Sequence, residues 1–394
     1  MTRAIVVIDG EHYAPVVRDA IAELPYDVIG AWLAGGTEKL RGGEDYGVPM
    51  LDDPEQGFAQ AEVVVDLSDE PVLGPRERFL LASRALAAGL RYEGADFRFE
   101  PPRYEPFPLP SLAVIGTGKR VGKTAVTGHI ARLLARDRDV VVVSMGRGGP
   151  AQPELAEVQP TLPFLLDLSR AGRHAASDYL ETAALTGVVT VGCRRAGGGL
   201  AGAVTSSNVL AGAALAAERD PDVVVFDGSG AAIPPVQTDA RILVSDTRHD
   251  PTGHLNPYRV LVSDLVVLVG GGDEGAIRGL KDIPVLTAGL RLRPMTPLHG
   301  RRAAVFATGP VVTEQLDAEV VSVSRNLANR PLLKDDLERT DADVYLVEIK
   351  AAAIDLVAEA ALSSRAELVF AENEVVCPGL DEAVLGLVPQ RAPA

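Results

Sequence analysis

One segment constrains this chain more than any other. The apolar run Leu112–Ile115 leads into the loop Gly116-Thr117-Gly118-Lys119-Arg120-Val121-Gly122-Lys123-Thr124, and the helix-forming stretch Lys123–Arg136 follows at once. A strand that ends in glycine and feeds directly into a helix is half of a crossover unit, so the fold is expected to be α/β with a parallel sheet. The glycines let successive backbone N–H groups converge on an anion, and the helix start adds its partial positive charge. In such a phosphate loop, or P-loop, Lys123 would reach the β- and γ-phosphates of a nucleotide and the Thr124 hydroxyl would take Mg²⁺. The strict spacing G-x-x-x-x-G-K-[ST] is not met, because its first glycine would fall on Thr117. The chain carries G-T-x-x-x-V-G-K-T instead.

Around this segment, short β-branched runs alternate with helix-like stretches along the whole chain. Ala4–Ile8, Asp27–Leu33 and Val63–Leu67, with a helix-like stretch from Pro75 to Gly89, outline a small N-terminal α/β domain over residues 1–99. Residues 100–111 hold five prolines in twelve positions, which predicts an extended, semi-rigid linker. The rhythm restarts at Leu112–Ile115. It runs through Asp139–Ser144, an Ala-rich helix around Asn208–Glu218, Asp222–Phe226 and Arg241–Ser245, giving a P-loop NTPase core over 112–250. Residues 251–394 repeat the same grammar, from Asp264–Val269 to a helix at Lys350–Leu362 and a strand near Leu368–Ala371. They either form further C-terminal α/β elements or extend the central sheet.

A loop of this kind needs a carboxylate nearby to organise Mg²⁺ or its water shell. The strand Asp222–Phe226 supplies Asp227 at its carboxyl end, where parallel sheets place their ligands, followed by Gly228-Ser229-Gly230. Asp246 and Asp9, at other strand ends, carry the same signal more weakly.

The charge balance narrows the partners. With 38 Lys+Arg against 54 Asp+Glu the chain carries −16, which disfavours nucleic acid and anionic membrane surfaces. Residues 111–200 run the other way, with eleven basic and seven acidic residues. Arg147, in Met145-Gly146-Arg147-Gly148-Gly149-Pro150, and Arg194 and Arg195, in Cys193-Arg194-Arg195-Ala196-Gly197-Gly198-Gly199, read as arginines on glycine-rich turns. A planar guanidinium there suits bidentate binding of phosphate. Arg132, Arg136 and Arg138 read as solvated charges on or after a helix. Two phosphate-seeking features together point to ATP plus a second, small anionic substrate. No N-K-x-D occurs to read guanine.

Cys193 and Cys377 supply neither a disulfide framework nor a four-cysteine metal site. No basic leader with an apolar run opens the chain, and no window approaches about 18 consecutive apolar residues. A cytoplasmic enzyme is expected. His12 reads as a turn histidine or a substrate contact, Lys350 as a ligand or a helix-end charge, and Asn326, Asn329 and Arg330 as a polar loop that would read a nucleobase.

The P-loop variant resembles that of dethiobiotin synthetase. GTGKRVGKTAV, SMGRGGP, CRRAGGGLAG, FDGSGAAIPPV and EIKAAAIDLVAE together resemble the cyclic 2,3-diphosphoglycerate synthetases over most of the chain. The resemblance implies an ATP- and Mg²⁺-dependent ligase that closes an intramolecular phosphoanhydride in 2,3-diphosphoglycerate, releasing ADP and phosphate. It further implies that Gly116 to Thr124 cradle ATP and that Lys123 stabilises the transferring group. Thr124 and Asp227 would hold the metal, and Arg147, Arg194 and Arg195 the acceptor phosphates. Asp227 stands where this P-loop class commonly has Glu, and the class admits a homodimer. Two other readings are a ligase that activates another carboxylate or phosphate substrate in the manner of dethiobiotin synthetase, and a nucleotide-switched regulator. The arginine pairs argue against the first. The second, in its metal-chaperone form, would want clustered Cys or His, which the chain lacks.

Overall fold

The computed structural model describes residues 1–171, 178–309, 311–349 and 354–389. The chain opens with β1 (Arg3–Ile8), α1 (Ala14–Glu23), β2 (Asp27–Leu33), β3 (Met50–Leu51), β4 (Val63–Asp66), α2 (Pro75–Ala87), β5 (Arg91–Glu93) and β6 (Arg98–Phe99). Over the described residues these strands form one sheet in the order β3-β2-β1-β4-β5-β6, parallel except for the β5–β6 pair. β1 and β4 are buried over nearly all their length, as strands covered on both faces must be.

The proline-rich segment is extended, and it is packed. Its short strand β7 (Glu105–Pro106) pairs with a distant segment, Val236–Gln237, while the Phe107 ring meets Phe226 edge-on at 5.1 Å. The Tyr104 and Tyr258 hydroxyls bond at 2.8 Å.

Next come β8 (Ser111–Gly116), α3 (Lys123–Leu134), β9 (Val140–Gly146), β10 (Glu154–Ala156), α4 (Leu162–Arg170), α5 (Asp178–Thr186) and β11 (Val189–Ala196). They are followed by β12 (Ser206–Ser207), α6 (Val209–Ala217), β13 (Val223–Asp227), β14 (Val236–Gln237), β15 (Ala240–Asp246), α7 (Asn256–Leu261), β16 (Leu265–Val269), α8 (Glu274–Leu280) and β17 (Val285–Pro294). The chain closes with β18 (Arg302–Phe306), β19 (Glu319–Ser324), α9 (Arg330–Glu338), β20 (Val344–Glu348), α10 (Ile354–Ser364), β21 (Glu367–Val376) and α11 (Leu380–Leu387).

Over the described residues the large sheet runs β10-β11-β9-β13-β8-β15-β16-β17-β21-β20-β18-β19. It is mostly parallel, so the fold is the α/β architecture expected. Runs such as Val140–Val143 and Val223–Phe226 are apolar without alternation because helices cover both faces. The strands after residue 250 continue this sheet. β17 pairs parallel to β16 through Ala288, then antiparallel to β21 from Gly289 onward, and so joins the two halves. β8 lies between β13 and β15, which brings the loop after it beside the carboxyl ends of both. No helix among the described residues is long and apolar enough to cross a membrane.

Candidate active site

The P-loop sits between the ends of β13 and β15, and its lysine is not free. Lys123 and Asp227 are both buried, and the Lys123 Nζ donates a short hydrogen bond to Asp227 Oδ1. Thr127, one helical turn on from Lys123, donates to the same oxygen at 2.9 Å. Asp227 Oδ2 is buried and has no hydrogen-bond partner among the described residues. A buried carboxylate oxygen left open beside a P-loop fits a hard cation that takes oxygen ligands.

The other wall of the loop hangs from β15. Thr117 N donates to Val244 O at 3.1 Å, and the Thr117 and Ser245 hydroxyls bond at 2.9 Å. The His249 ring lies over Gly118, where a Cβ would stand 2.4 Å from it, so only glycine leaves room for the ring there. Asp246 holds that wall together. It accepts from His249 Nδ1 at 2.7 Å and from Arg248 Nε at 2.7 Å, and Arg248 Nη2 reaches Arg120 O at 2.6 Å.

Burial by itself would raise the Asp246 carboxyl, but the bonds from His249 and Arg248 outweigh it and hold the pKa below the ordinary carboxylate value. A folded pKa below the unfolded one gives stability that is fully present above about pH 3.9 and is lost as the pH falls through the depressed folded value. Asp246→Asn is therefore expected to lower the melting temperature near neutrality, with the difference from wild type shrinking as the pH falls below about 3.9. Thermal unfolding across that range checks it.

The loop opens on a cleft of about 340 Å³ bordered by Lys119, Lys123, Thr124, Arg147, Ser229 and Thr308. Asp178 and Glu181 of α5 also border it. Arg147 follows β9 directly and is exposed to the cleft.

Arg194 and Arg195 differ from the sequence reading, because they lie at the end of β11 and not on a turn. Their side chains therefore leave opposite faces. Arg195 stands at the cleft rim, where Nη1 donates to Gly197 O at 2.5 Å and Nη2 to Ser229 O at 2.8 Å. Burial, and then the neighbouring positive charge of Arg147, lower its pKa, and the carboxylate of Asp178 offsets part of that. Arg194 is exposed, and its backbone N–H is held by Asn208 Oδ1 at 2.7 Å.

The C-terminal half closes the floor. Buried Glu348, at the end of β20, accepts from Thr308 N at 2.8 Å, Thr308 Oγ1 at 2.9 Å and Asn373 Nδ2 at 3.0 Å, fixing Thr308 against the cleft. Arg132 is no solvated charge. It bonds Glu372 Oε2 at 2.7 Å and Leu185 O at 3.2 Å, and buried Glu372 also pairs with Arg293. This tether docks α3, the P-loop helix, on β21.

One further reading is corrected. Asn329 caps α9, Asn326 bonds Asp336 at 2.8 Å, and Arg330 grips Asp355 with bonds of 2.9 and 2.7 Å, so these side chains are occupied in building the fold. His12 is a turn histidine whose Nδ1 lies 2.8 Å from buried Asp9. Lys350 lies outside the described residues. Burial pushes the Cys193 thiol up to about 12, which makes it passive. Thr127, Ser245, His249, Thr308 and Glu348 were not singled out in the sequence. The Ser-Asp pair closing β15 and the Glu closing β20 were the available signals, since both stand at strand ends.

Three family models match in order. Residues 3–100 match the N-terminal domain of cyclic 2,3-diphosphoglycerate synthetase, residues 111–278 its P-loop domain and residues 297–374 its C-terminal domain. The chain is 48% identical to the cyclic 2,3-diphosphoglycerate synthetase of Rubrobacter xylanophilus, over 98% of this chain and 97% of that one. It is 41% identical to that of Thermococcus kodakarensis over 94% of each chain. It is 39% identical to that of Methanothermobacter thermautotrophicus over 98% and 95%. With a P-loop paired to a strand-end aspartate, and near full-length likeness to these enzymes, the chain belongs to the cyclic 2,3-diphosphoglycerate synthetase family.

Proposed function

We propose that this enzyme uses ATP to close an intramolecular phosphoanhydride in 2,3-diphosphoglycerate. One observation carries the reading: Lys123, paired to Asp227, opens on the same cleft that Arg147 borders and Arg195 rims. That arrangement provides for two separate sets of phosphates.

ATP would lie along Gly116 to Thr124. Lys123 then exchanges Asp227 for the β- and γ-phosphates, which leaves Asp227 and the Thr124 hydroxyl as the groups to hold Mg²⁺. When bound, Mg²⁺ neutralises charge on the β- and γ-oxygens. An oxygen of one substrate phosphate attacks the γ-phosphorus and ADP leaves. An oxygen of the other substrate phosphate then attacks the phosphorus that was activated. The new P–O–P bond forms as the bond to the transferred group breaks, and inorganic phosphate departs with the bridging oxygen. The chain forms no covalent bond to either substrate. Arg147 and Arg195 offset the repulsion between two substrate phosphates that must approach each other.

ATP turnover with and without 2,3-diphosphoglycerate tests this reading. Stimulation by the bisphosphate is expected. Turnover that ignores it, or that yields a hydroxamate when hydroxylamine is added, would favour carboxylate activation instead.

The Arg147 loop gives a second test. A Cβ on Gly149 would stand 2.0 Å from Cys193 O, a backbone atom of β11 that cannot yield, so Gly149→Ala must push the loop away from the strand. Displacement of that order is expected to lower kcat/KM for the bisphosphate by about a hundredfold. The melting temperature and ATP affinity should change much less.

A further inference from the structure

Arg259 lies on α7, behind the cleft, with only 1% of its surface exposed. Among the described residues no carboxylate pairs with it. Burial lowers its basicity to about 10, and its nearest titratable neighbours are the hydroxyls of Tyr104 and Tyr258. A guanidinium buried without a counter-charge is disfavoured, and an apolar side chain of similar length would fill the space more stably. The fold nevertheless satisfies it with care. Nε and Nη2 donate to Ala231 O at 3.0 and 2.6 Å, and Nη1 donates to Leu200 O at 3.0 Å and Asn256 Oδ1 at 3.1 Å.

Those two carbonyls belong to the loop after β11 and the turn after β13. Arg195 grips the same two segments from the cleft side, through Gly197 O and Ser229 O. The segments are otherwise joined by Ile233 N donating to Gly202 O at 2.8 Å. A guanidinium that takes a phosphate in bidentate fashion must give up bonds it already makes. Once Arg195 turns to an anionic substrate, its clip between the two segments is released and the interior one remains.

Building on the reaction proposed above, we infer that Arg259 is a positioning residue. It clamps Leu200 and Ala231 from the interior, so that Arg195 can leave Gly197 and Ser229 and take a phosphate of the bisphosphorylated substrate. Its planar fork reaches both carbonyls at once, which a lysine ammonium does not.

Calorimetric binding of 2,3-diphosphoglycerate and of ADP to the wild-type chain, Arg259→Lys and Arg259→Met tests this, together with Arg195→Ala and the Arg195→Ala/Arg259→Met double variant. Arg259→Met is expected to weaken 2,3-diphosphoglycerate binding about tenfold and ADP binding by less than about twofold, with Arg259→Lys in between. In the Arg195→Ala background the second substitution should add little, because the two arginines act through one contact. Three results would overturn the clamp: unchanged bisphosphate binding in the Arg259 variants, equal loss for ADP, or fully additive loss in the double variant. If Arg259→Met does not fold, the same comparison between wild type and Arg259→Lys decides. A wild-type chain that binds no 2,3-diphosphoglycerate overturns the substrate reading, and the clamp with it. Wild-type binding with unaffected variants overturns the clamp alone.

Discussion

Lys123→Met is expected to lower turnover by about a thousandfold while also destabilising the unliganded chain. The two effects have separate causes. Turnover falls because, in the reaction proposed above, the ammonium would be a fixed positive charge beside the transferring phosphoryl group, and methionine replaces it with an apolar chain of similar length. Stability falls because Asp227, 1% exposed, is left with Thr127 as its one hydrogen-bond donor among the described residues. Removing one partner of a buried ion pair costs about 3–5 kcal/mol, far more than the pair itself contributes over an apolar substitute. The double variant Lys123→Met/Asp227→Asn should therefore recover much of the melting temperature and none of the activity. Thermal unfolding beside a turnover assay checks both halves. A Lys123→Met chain as stable as wild type would mean that Asp227 is neutral or solvated, which contradicts the pairing described above.

Arg195→Ala and Arg194→Ala, adjacent in sequence, are expected to differ by more than tenfold in their effect on bisphosphate affinity. Strand geometry sends the two side chains to opposite faces, and Arg195 alone reaches the Ser229 rim. Charge-assisted hydrogen bonds contribute about 1.5–3 kcal/mol each, so loss of one such contact should weaken 2,3-diphosphoglycerate binding by about 10- to 100-fold. Arg194→Ala should stay within about threefold of wild type, as expected for an exposed charge. ATP affinity should hardly move in either. Titration of both substrates into both variants checks this, and equal losses would return Arg194 to the substrate site.

The sequence carried much of this, for reasons that differ from residue to residue. The P-loop was legible because strand, glycines, Lys123, Thr124 and helix are contiguous. Asp227 was legible because an apolar run such as Val223–Phe226 followed by Asp-Gly announces a strand end. What it bonds was not, since Lys123 lies 104 residues away. β11 was missed because Gly192, Cys193 and two arginines interrupt its β-branched run. It is a strand because β9 runs beside it in parallel register from Val189 to Arg194. Arg132 read as a surface charge because its partner, Glu372, arrives from 240 residues further on. Arg259 left no local trace at all, because what defines it is the pair of carbonyls brought to it by two loops. Chemistry held within one segment shows in the sequence, and chemistry assembled by tertiary contact does not.

The most direct test is phosphorus NMR of the wild-type chain with ATP, Mg²⁺ and 2,3-diphosphoglycerate. The account predicts new phosphoanhydride resonances that grow as the bisphosphate signals decline, with one ADP and one inorganic phosphate released per turnover and nothing new from Lys123→Met. Release of ADP and phosphate with the bisphosphate signals unchanged would contradict it.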